Sequence, residues 1–250
     1  MFLKEDIDSL SAQFESRQPQ EIIQWVVEAY APDIALSTSF QTQSMPLLHM
    51  VTRIMPGIPI FFLDTGYHFW DTLIFRERIQ HEWNLNVVDI YRDVRWDVFV
   101  RQNVRTLPLQ DANLCCYIHK VQPMQKALGG LKAWITGIRR EQTPNRARAQ
   151  ILEIQEDGLL KVNPMLNWTK RDIQAYIRDH QLPAHPLYER GYRSVGCAPC
   201  TAAVGPDDND RAGRWVGRGK TECGLHTELF KHKNLAEVEN QFILKPEDLK

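Results

Sequence analysis

The chain has 250 residues, 43% of them hydrophobic and 24% charged, and its 30 basic and 31 acidic residues leave a net charge of −1. That composition excludes an extended disordered chain and a membrane-embedded one, and it provides no global positive field to draw a polynucleotide. The length suits one α/β domain with a tail. There is no basic stretch leading into an apolar one near residue 1, and no run approaches the roughly eighteen apolar residues of a membrane span. The expectation is therefore a cytoplasmic protein that binds neither membrane nor nucleic acid, with a homo-oligomer left open. In that compartment structural disulfides are rare, so the five cysteines are expected to bind metal or do redox chemistry.

Residues 4–14 and 20–30 have helical spacing, and Ile22, Ile23, Val26 and Val27 give the second an apolar face that would cover a sheet edge. Residues 33–37 read as a short buried strand that passes through a polar turn at 37–44 into a helical stretch near 45–55. The pattern repeats with a strand at 58–63, a turn at 64–66 and a helix at 69–83, then a strand at 85–90, a helix at 96–104 and a strand at 133–137. Such alternation predicts the α/β class, with a doubly wound, mostly parallel sheet and helices on both faces. Ligands of these sheets sit beyond the carboxyl ends of the strands. The turns at 37–44, 64–66 and 137–142 are therefore expected to line one crevice. Farther on, 151–154 and 160–162 flank Asp157-Gly158 as a hairpin, and 169–180 reads as a helix capped by Thr169.

Three stretches could carry chemistry. The turn at 37–44, with Ser37 and Ser39, has the position of a phosphate loop, although hydroxyls there also serve as simple helix caps. After the strand at 133–137, Arg139, Arg140, Arg146 and Arg148 could converge on a multiply charged anion, or could face solvent. Among the cysteines, Cys115-Cys116 and Cys197-Ala198-Pro199-Cys200 form two pairs and Cys223 is left over. Zinc sites usually space each pair by about two to four residues, so the adjacent pair tilts the reading from zinc toward a [4Fe–4S] cluster; four buried small hydrophobes are the remaining alternative. Cys223 lies just after Arg211, Arg214, Arg218 and Lys220 and three residues before His226. Cations lower a thiol's pKa and also attract an anionic substrate, so Cys223 reads as a nucleophile, against the alternative of an inert exposed thiol.

Leu63-Asp64-Thr65-Gly66-Tyr67, Lys120-Val121-Gln122-Pro123-Met124, Gly137-Ile138-Arg139-Arg140-Glu141-Gln142, His185-Pro186-Leu187-Tyr188, Gly191 to Cys197 and Glu222-Cys223-Gly224-Leu225-His226 together resemble the assimilatory adenylyl-sulfate and phosphoadenylyl-sulfate reductases over roughly residues 30–230. The resemblance implies an adenine nucleotide alpha hydrolase-like domain over 1–204, including the four cluster cysteines, and a mobile segment over 205–250 that carries Cys223. It implies thioredoxin-dependent reduction of adenylyl sulfate to sulfite and AMP through a Cys–S–sulfonate on Cys223. Ser37, Ser39, Lys120, Arg139, Arg214 and His226 would then bind substrate. Cys115, Cys116, Cys197 and Cys200 would hold one [4Fe–4S] cluster and mark the cluster-bearing branch. The 3′-phosphorylated donor is the alternative substrate, because Tyr67 and the run at 137–142 read like the cluster-free branch. A zinc-bearing protein that modifies RNA is the alternative from a different class. The phosphate turn resembles that of the ATP pyrophosphatases but lacks their two glycines and their acid, which argues against ATP cleavage. Beyond His226, Phe242, Ile243 and Leu244 suggest a loosely docked tail.

Overall fold

The computed structural model describes residues 4–227 and Phe230; Phe242, Ile243 and Leu244 lie outside that range. Two helices open the fold, α1 (Lys4–Phe14) and α2 (Pro19–Tyr30). Pro19 supplies a preset φ at the start of α2, and the Glu21 carboxylate accepts from Gln18 N–H at 2.8 Å, satisfying a donor that the helix leaves open. The alternation then runs β1 (Ile34–Ser37), α3 (Met45–Ile54), β2 (Ile60–Leu63), α4 (Trp70–Glu82) and β3 (Val87–Ile90), each close to its expected bounds.

Residues 97–128 are more helical than the sequence pattern suggests. α5 (Asp97–Asn103), α6 (Leu107–Gln110), α7 (Ala112–Cys116), a π-helical turn (Tyr117–Val121) and α8 (Gln122–Leu128) follow one another with few breaks. These pieces are too short for a 3.6-residue period to stand out. The chain continues through β4 (Ala133–Ile135), β5 (Leu152–Ile154), β6 (Leu160–Val162) and α9 (Lys170–Asp179). Thr169 caps α9 as expected: its hydroxyl accepts from Asp172 N–H at 3.3 Å while the Asp172 carboxylate accepts from Thr169 N–H at 2.7 Å.

The sheet order is β3-β2-β1-β4-β6-β5, with every pairing parallel except the β5–β6 hairpin. Period-two alternation divides the core. Ile34, Leu36, Ile60, Phe62, Ala133 and Ile135 share one apolar cluster with residues of α2, α3 and α4, whereas Ala35, Phe61 and Trp134 share another with α7, the π-helical turn and α8. Both faces are therefore covered, as a parallel sheet requires. The strand order reverses between β1 and β4, and their carboxyl ends part there to leave the crevice where α/β sheets bind ligands.

Candidate active site

That crevice holds a cavity of about 170 Å3. Its floor comes from the β1–α3 turn, including Ser37 and Ser39, and from Thr136, Gly137 and Ile138 after β4. Ser37 Oγ accepts from Trp134 Nε1 at 2.8 Å, which leaves its own proton free to donate. Phe40 takes φ 52° in this turn, a left-handed position that costs a non-glycine residue about 1 kcal/mol or more. Its ring is fully buried and meets Phe62 edge to face at 5.8 Å, and burial worth about 1.5–3 kcal/mol offsets that cost. The turn therefore holds its shape without glycine.

The expected third wall is elsewhere. The turn at 64–66 does not line the cavity; Thr65 Oγ1 contacts Cys197 Sγ at 3.3 Å, and the Tyr67 carbonyl accepts from Ala198 N–H at 2.7 Å, so this turn supports the cysteine turn at 197–200. His185 does similar work behind the floor. Its Nδ1 accepts from Leu187 N–H at 3.2 Å, which places the proton on Nε2, where it donates to Thr72 Oγ1 at 3.0 Å; its own N–H donates to Thr42 Oγ1. Burial lowers its pKa to about 4, so the ring is neutral at pH 7.

The roof is a strap, residues 205–227, with almost no regular secondary structure but docked along its length. Asp210 accepts from Gln43 Nε2 at 3.0 Å and Lys170 Nζ at 2.7 Å, Arg218 Nη1 donates to the Pro108 carbonyl at 2.8 Å, and Lys220 Nζ donates to Asn113 Oδ1 at 2.6 Å. Trp215 organises the cations: Arg214, Arg211 and Lys220 lie 4.4, 5.6 and 5.9 Å from its ring, where the π face attracts positive charge. Gly196 makes room for this arrangement, since a Cβ there would collide with the Arg214 guanidinium.

Of the residues expected at the site, Ser37, Ser39, Lys120, Arg214, Cys223 and His226 line the one cavity. Arg139 does not. It is 2% exposed and donates to Gln43 Oε1 at 2.6 Å and to Glu141, so it orients Gln43, which in turn holds Asp210 of the strap. In its place Arg146 and Arg211 reach the cavity. Arg146 belongs to the arginine run, but nothing in the spacing distinguishes it from its neighbours. Burial and the nearby Arg146 lower the Arg211 pKa to about 10, still cationic at pH 7. Lys120 is half-buried on the π-helical turn, and although burial opposes its charge, Cys197, Cys223 and Cys116 hold its pKa above the usual lysine value. His226 is held neutral, because burial and the charges of Arg146, Lys161 and Arg211 push its pKa well below 6.5. Its ring lies parallel to Trp134 at 6.4 Å, and its buried Nδ1 has no partner among the described residues.

Cys115, Cys116, Cys197 and Cys200 are all free and 5–8% exposed, whereas Cys223 is half-buried; of the five, Cys197 and Cys223 line the cavity. Burial raises the pKa of Cys115 and Cys116; at Cys197 burial is outweighed by Lys120, Thr65 and Arg214, which lower it. Arg218 Nη1 donates to Cys200 Sγ at 2.9 Å. Among the described residues, no group of three or more His, Cys, Asp or Glu side chains is placed to hold a single metal ion.

A parallel α/β sheet with a cation-lined cavity at its switch point, and with two thiols, Cys197 and Cys223, among the lining residues, has the layout of the α/β domains that bind ligands at the carboxyl ends of their strands. The family model of the phosphoadenosine phosphosulfate reductase domain matches residues 33–203, and the chain belongs to that family of oxidoreductases acting on sulfur. It is 36% identical over 225 residues to the adenosine 5′-phosphosulfate reductase of Rhodococcus opacus, covering 86% of this chain and 91% of that one. It is 36% identical over 221 residues to the same enzyme of Salinibacter ruber, covering 88% of each. The crystal structure of phosphoadenylyl-sulfate reductase from Candida auris in a phosphate complex superimposes with a TM-score of 0.67 at 25% identity, over 82% of this chain and 98% of that one. FMN adenylyltransferase of Candida glabrata shares the fold alone, at TM-score 0.56 and 16% identity over 97% of this chain and 84% of that one. No helix among the described residues is long and apolar enough to cross a membrane.

Proposed function

We propose that the chain reduces adenylyl sulfate to sulfite and AMP with electrons from a thioredoxin-type dithiol. The observation that carries this reading is that Cys223 shares one cavity with Ser37, Ser39, Lys120, Arg146, Arg211 and Arg214. In the first step the Cys223 thiolate attacks the sulfonate sulfur, the S–O bond to the phosphate breaks, and AMP leaves with the electron pair, forming Cys–S–SO3⁻. An anionic nucleophile meets an anionic group here, so the four cations lower the main barrier, which is like-charge repulsion. A thiolate of the dithiol then attacks Cys223 Sγ and expels sulfite. Its second thiol resolves the mixed disulfide, so the dithiol supplies both electrons.

The placement of the groups supports an opening strap. Cys223, Arg211 and Arg214 all lie on the strap and line the cavity, so its movement would admit the nucleotide and bring the thiol and two cations to it together. The mobility expected from residue 205 onward fits this movement, and a lifted strap would also present the Cys223 adduct to the dithiol.

The four buried cysteines suit a sulfur-ligated cluster. They come as two pairs from separate elements, α7 and the turn at 197–200, and the buried Tyr67 hydroxyl, whose pKa is raised by burial and by Cys115 and Cys197, has no hydrogen-bond partner among the described residues. Cys115, Cys116, Cys197 and Cys200 would hold a [4Fe–4S] group, which when bound supplies a fixed charge beside Lys120 and ties the two elements together.

The test is sulfite release by the anaerobically purified protein with reduced thioredoxin, adenylyl sulfate being compared with its 3′-phosphorylated form at equal concentration. Preference for adenylyl sulfate is expected; preference for the phosphorylated form would reassign the donor, and no sulfite from either would overturn the reading. Cys223→Ser should abolish release while AMP still binds with an affinity within about twofold, since the hydroxyl keeps the shape and removes the nucleophile. Iron and labile sulfide in equal amounts are expected in the same preparation, and zinc instead would remove the cluster assignment.

A further inference from the structure

Glu222 directly precedes Cys223, yet its carboxylate is committed to the domain. One oxygen accepts from Arg146 Nε at 2.7 Å and Thr143 Oγ1 at 2.8 Å; the other accepts from Arg146 Nη2 at 2.7 Å and from the Cys223 backbone N–H at 2.8 Å, with Arg211 Nη2 at 3.5 Å. The carboxylate is 4% exposed, and a buried charge is tolerated only when paired and hydrogen-bonded this fully. Although burial opposes ionisation, Arg146 and Arg211 outweigh it and hold the carboxyl below its ordinary range, so Glu222 is charged at neutral pH.

Two consequences follow from this wiring. The bond to Cys223 N–H makes the position of the thiol depend on where the carboxylate is held, one peptide away. In addition, Arg146 and Arg211 both line the cavity, so the cations that anchor the strap are the same ones an anionic ligand would meet. With Glu222 in place, part of their charge is already neutralised. A group that served only to hold the fold would have no reason to draw on the ligand's own cations.

We propose that Glu222 is the positioning residue for Cys223: its ion pair with Arg146 latches the strap closed over the cavity, and the negative charge it places there holds down the affinity for anions. The effect on turnover rests on Cys223 being the nucleophile; the latch itself does not. Loss of the pair should speed release of the strap and slow delivery of the thiol, while nucleotide binding is unchanged or tighter, because the freed guanidinium becomes available to the phosphate.

The test compares the wild-type protein with Glu222→Gln, both full length and cluster-loaded, in three measurements. These are the rate of iodoacetamide alkylation at Cys223 followed by peptide mass spectrometry, AMP affinity by calorimetry, and sulfite release. In Glu222→Gln, alkylation of Cys223 should rise and turnover fall, each by at least about tenfold, the low end for losing a hydrogen bond to a charged group, with AMP bound as well or better. Alkylation within about twofold of wild type would overturn the latch, as would AMP affinity falling in step with turnover, since that marks a residue that only shapes the cavity. If Glu222→Gln does not fold, Thr143→Val removes one donor while keeping the ion pair and should move alkylation in the same direction by a smaller factor; an unchanged rate there overturns the proposal equally. Absence of sulfite release from the wild type would remove the reductase reading and leave the alkylation result standing.

Discussion

The floor and the roof of the cavity are built in opposite ways. The floor is the end of a parallel sheet: Ser37 ends β1 and Ser39 follows it, Gly137 follows β4, and backbone pairing with apolar burial on both faces holds them in place. The roof is a strap with little regular structure, held to the domain mainly by ion pairs and hydrogen bonds such as Glu222–Arg146, Asp210–Lys170 and Lys220–Asn113, with Trp215 as a buried apolar anchor on Cys197 and Cys200. Apolar burial is non-directional and does not come apart piecemeal, whereas polar contacts can exchange for water at a small net cost each. A floor of the first kind suits a preformed nucleotide platform, and a roof of the second kind suits a nucleophile that must be delivered and then withdrawn.

This contrast can be broken or sharpened by substitution. Arg214→Ala, in the strap, should lower kcat/KM by about 100-fold, the loss typical of removing one group that stabilises developing charge, and steady-state sulfite release reads it. The Tm should stay within a few degrees, because among the described residues the Arg214 side chain is hydrogen-bonded to the domain by one long bond, to the Cys200 carbonyl at 3.4 Å; a large drop in Tm would mean that the roof is integral to the fold.

His185, beneath the floor, should show the reverse. Its pKa lies near 4 in the folded protein against an ordinary 6.5, so the unfolded chain binds more protons between those values. Stability from this group is therefore complete above pH 6.5 and is lost as pH falls toward 4, at no more than about 1.4 kcal/mol per pH unit. His185→Gln should lower Tm at pH 7 and flatten its pH dependence across that window in thermal melts. An unchanged slope would show that other groups set the acid limit.

The smallest effect is expected from Gly196→Ala. The added methyl meets only the far end of the Arg214 side chain, which can swing aside, so Tm should shift by less than about 2 °C while kcat/KM falls by about fivefold to tenfold. Equal losses in Arg214→Ala and Gly196→Ala would mean that Arg214 acts only from its present seat on Trp215.

Much of the floor was legible from local pattern. The strands at 34–37, 60–63 and 133–135 and the capped helix after Thr169 rest on short-range rules of apolar runs, turns and caps, which a sequence displays directly. The helices between 97 and 128 were less legible, because each is too short to show its period and the π-helical turn breaks what period there is. At the site, the motifs marked Cys223, Lys120, Arg214 and His226 as neighbours of a substrate, and all four reach the cavity. Arg139 carries the same chemistry as Arg146, and only packing sends the first to Gln43 and the second to the cavity and Glu222.

By itself the sequence determined the chemical inventory and the class of fold: five thiols, two basic runs and alternating strands and helices are properties of residue type and spacing. Only the tertiary structure decided which cations converge. Arg146 and Glu222 are brought together across the chain by the crossing of the strap over the sheet end, and an ion pair formed over that separation depends on the path of the backbone between its members, which no local rule encodes.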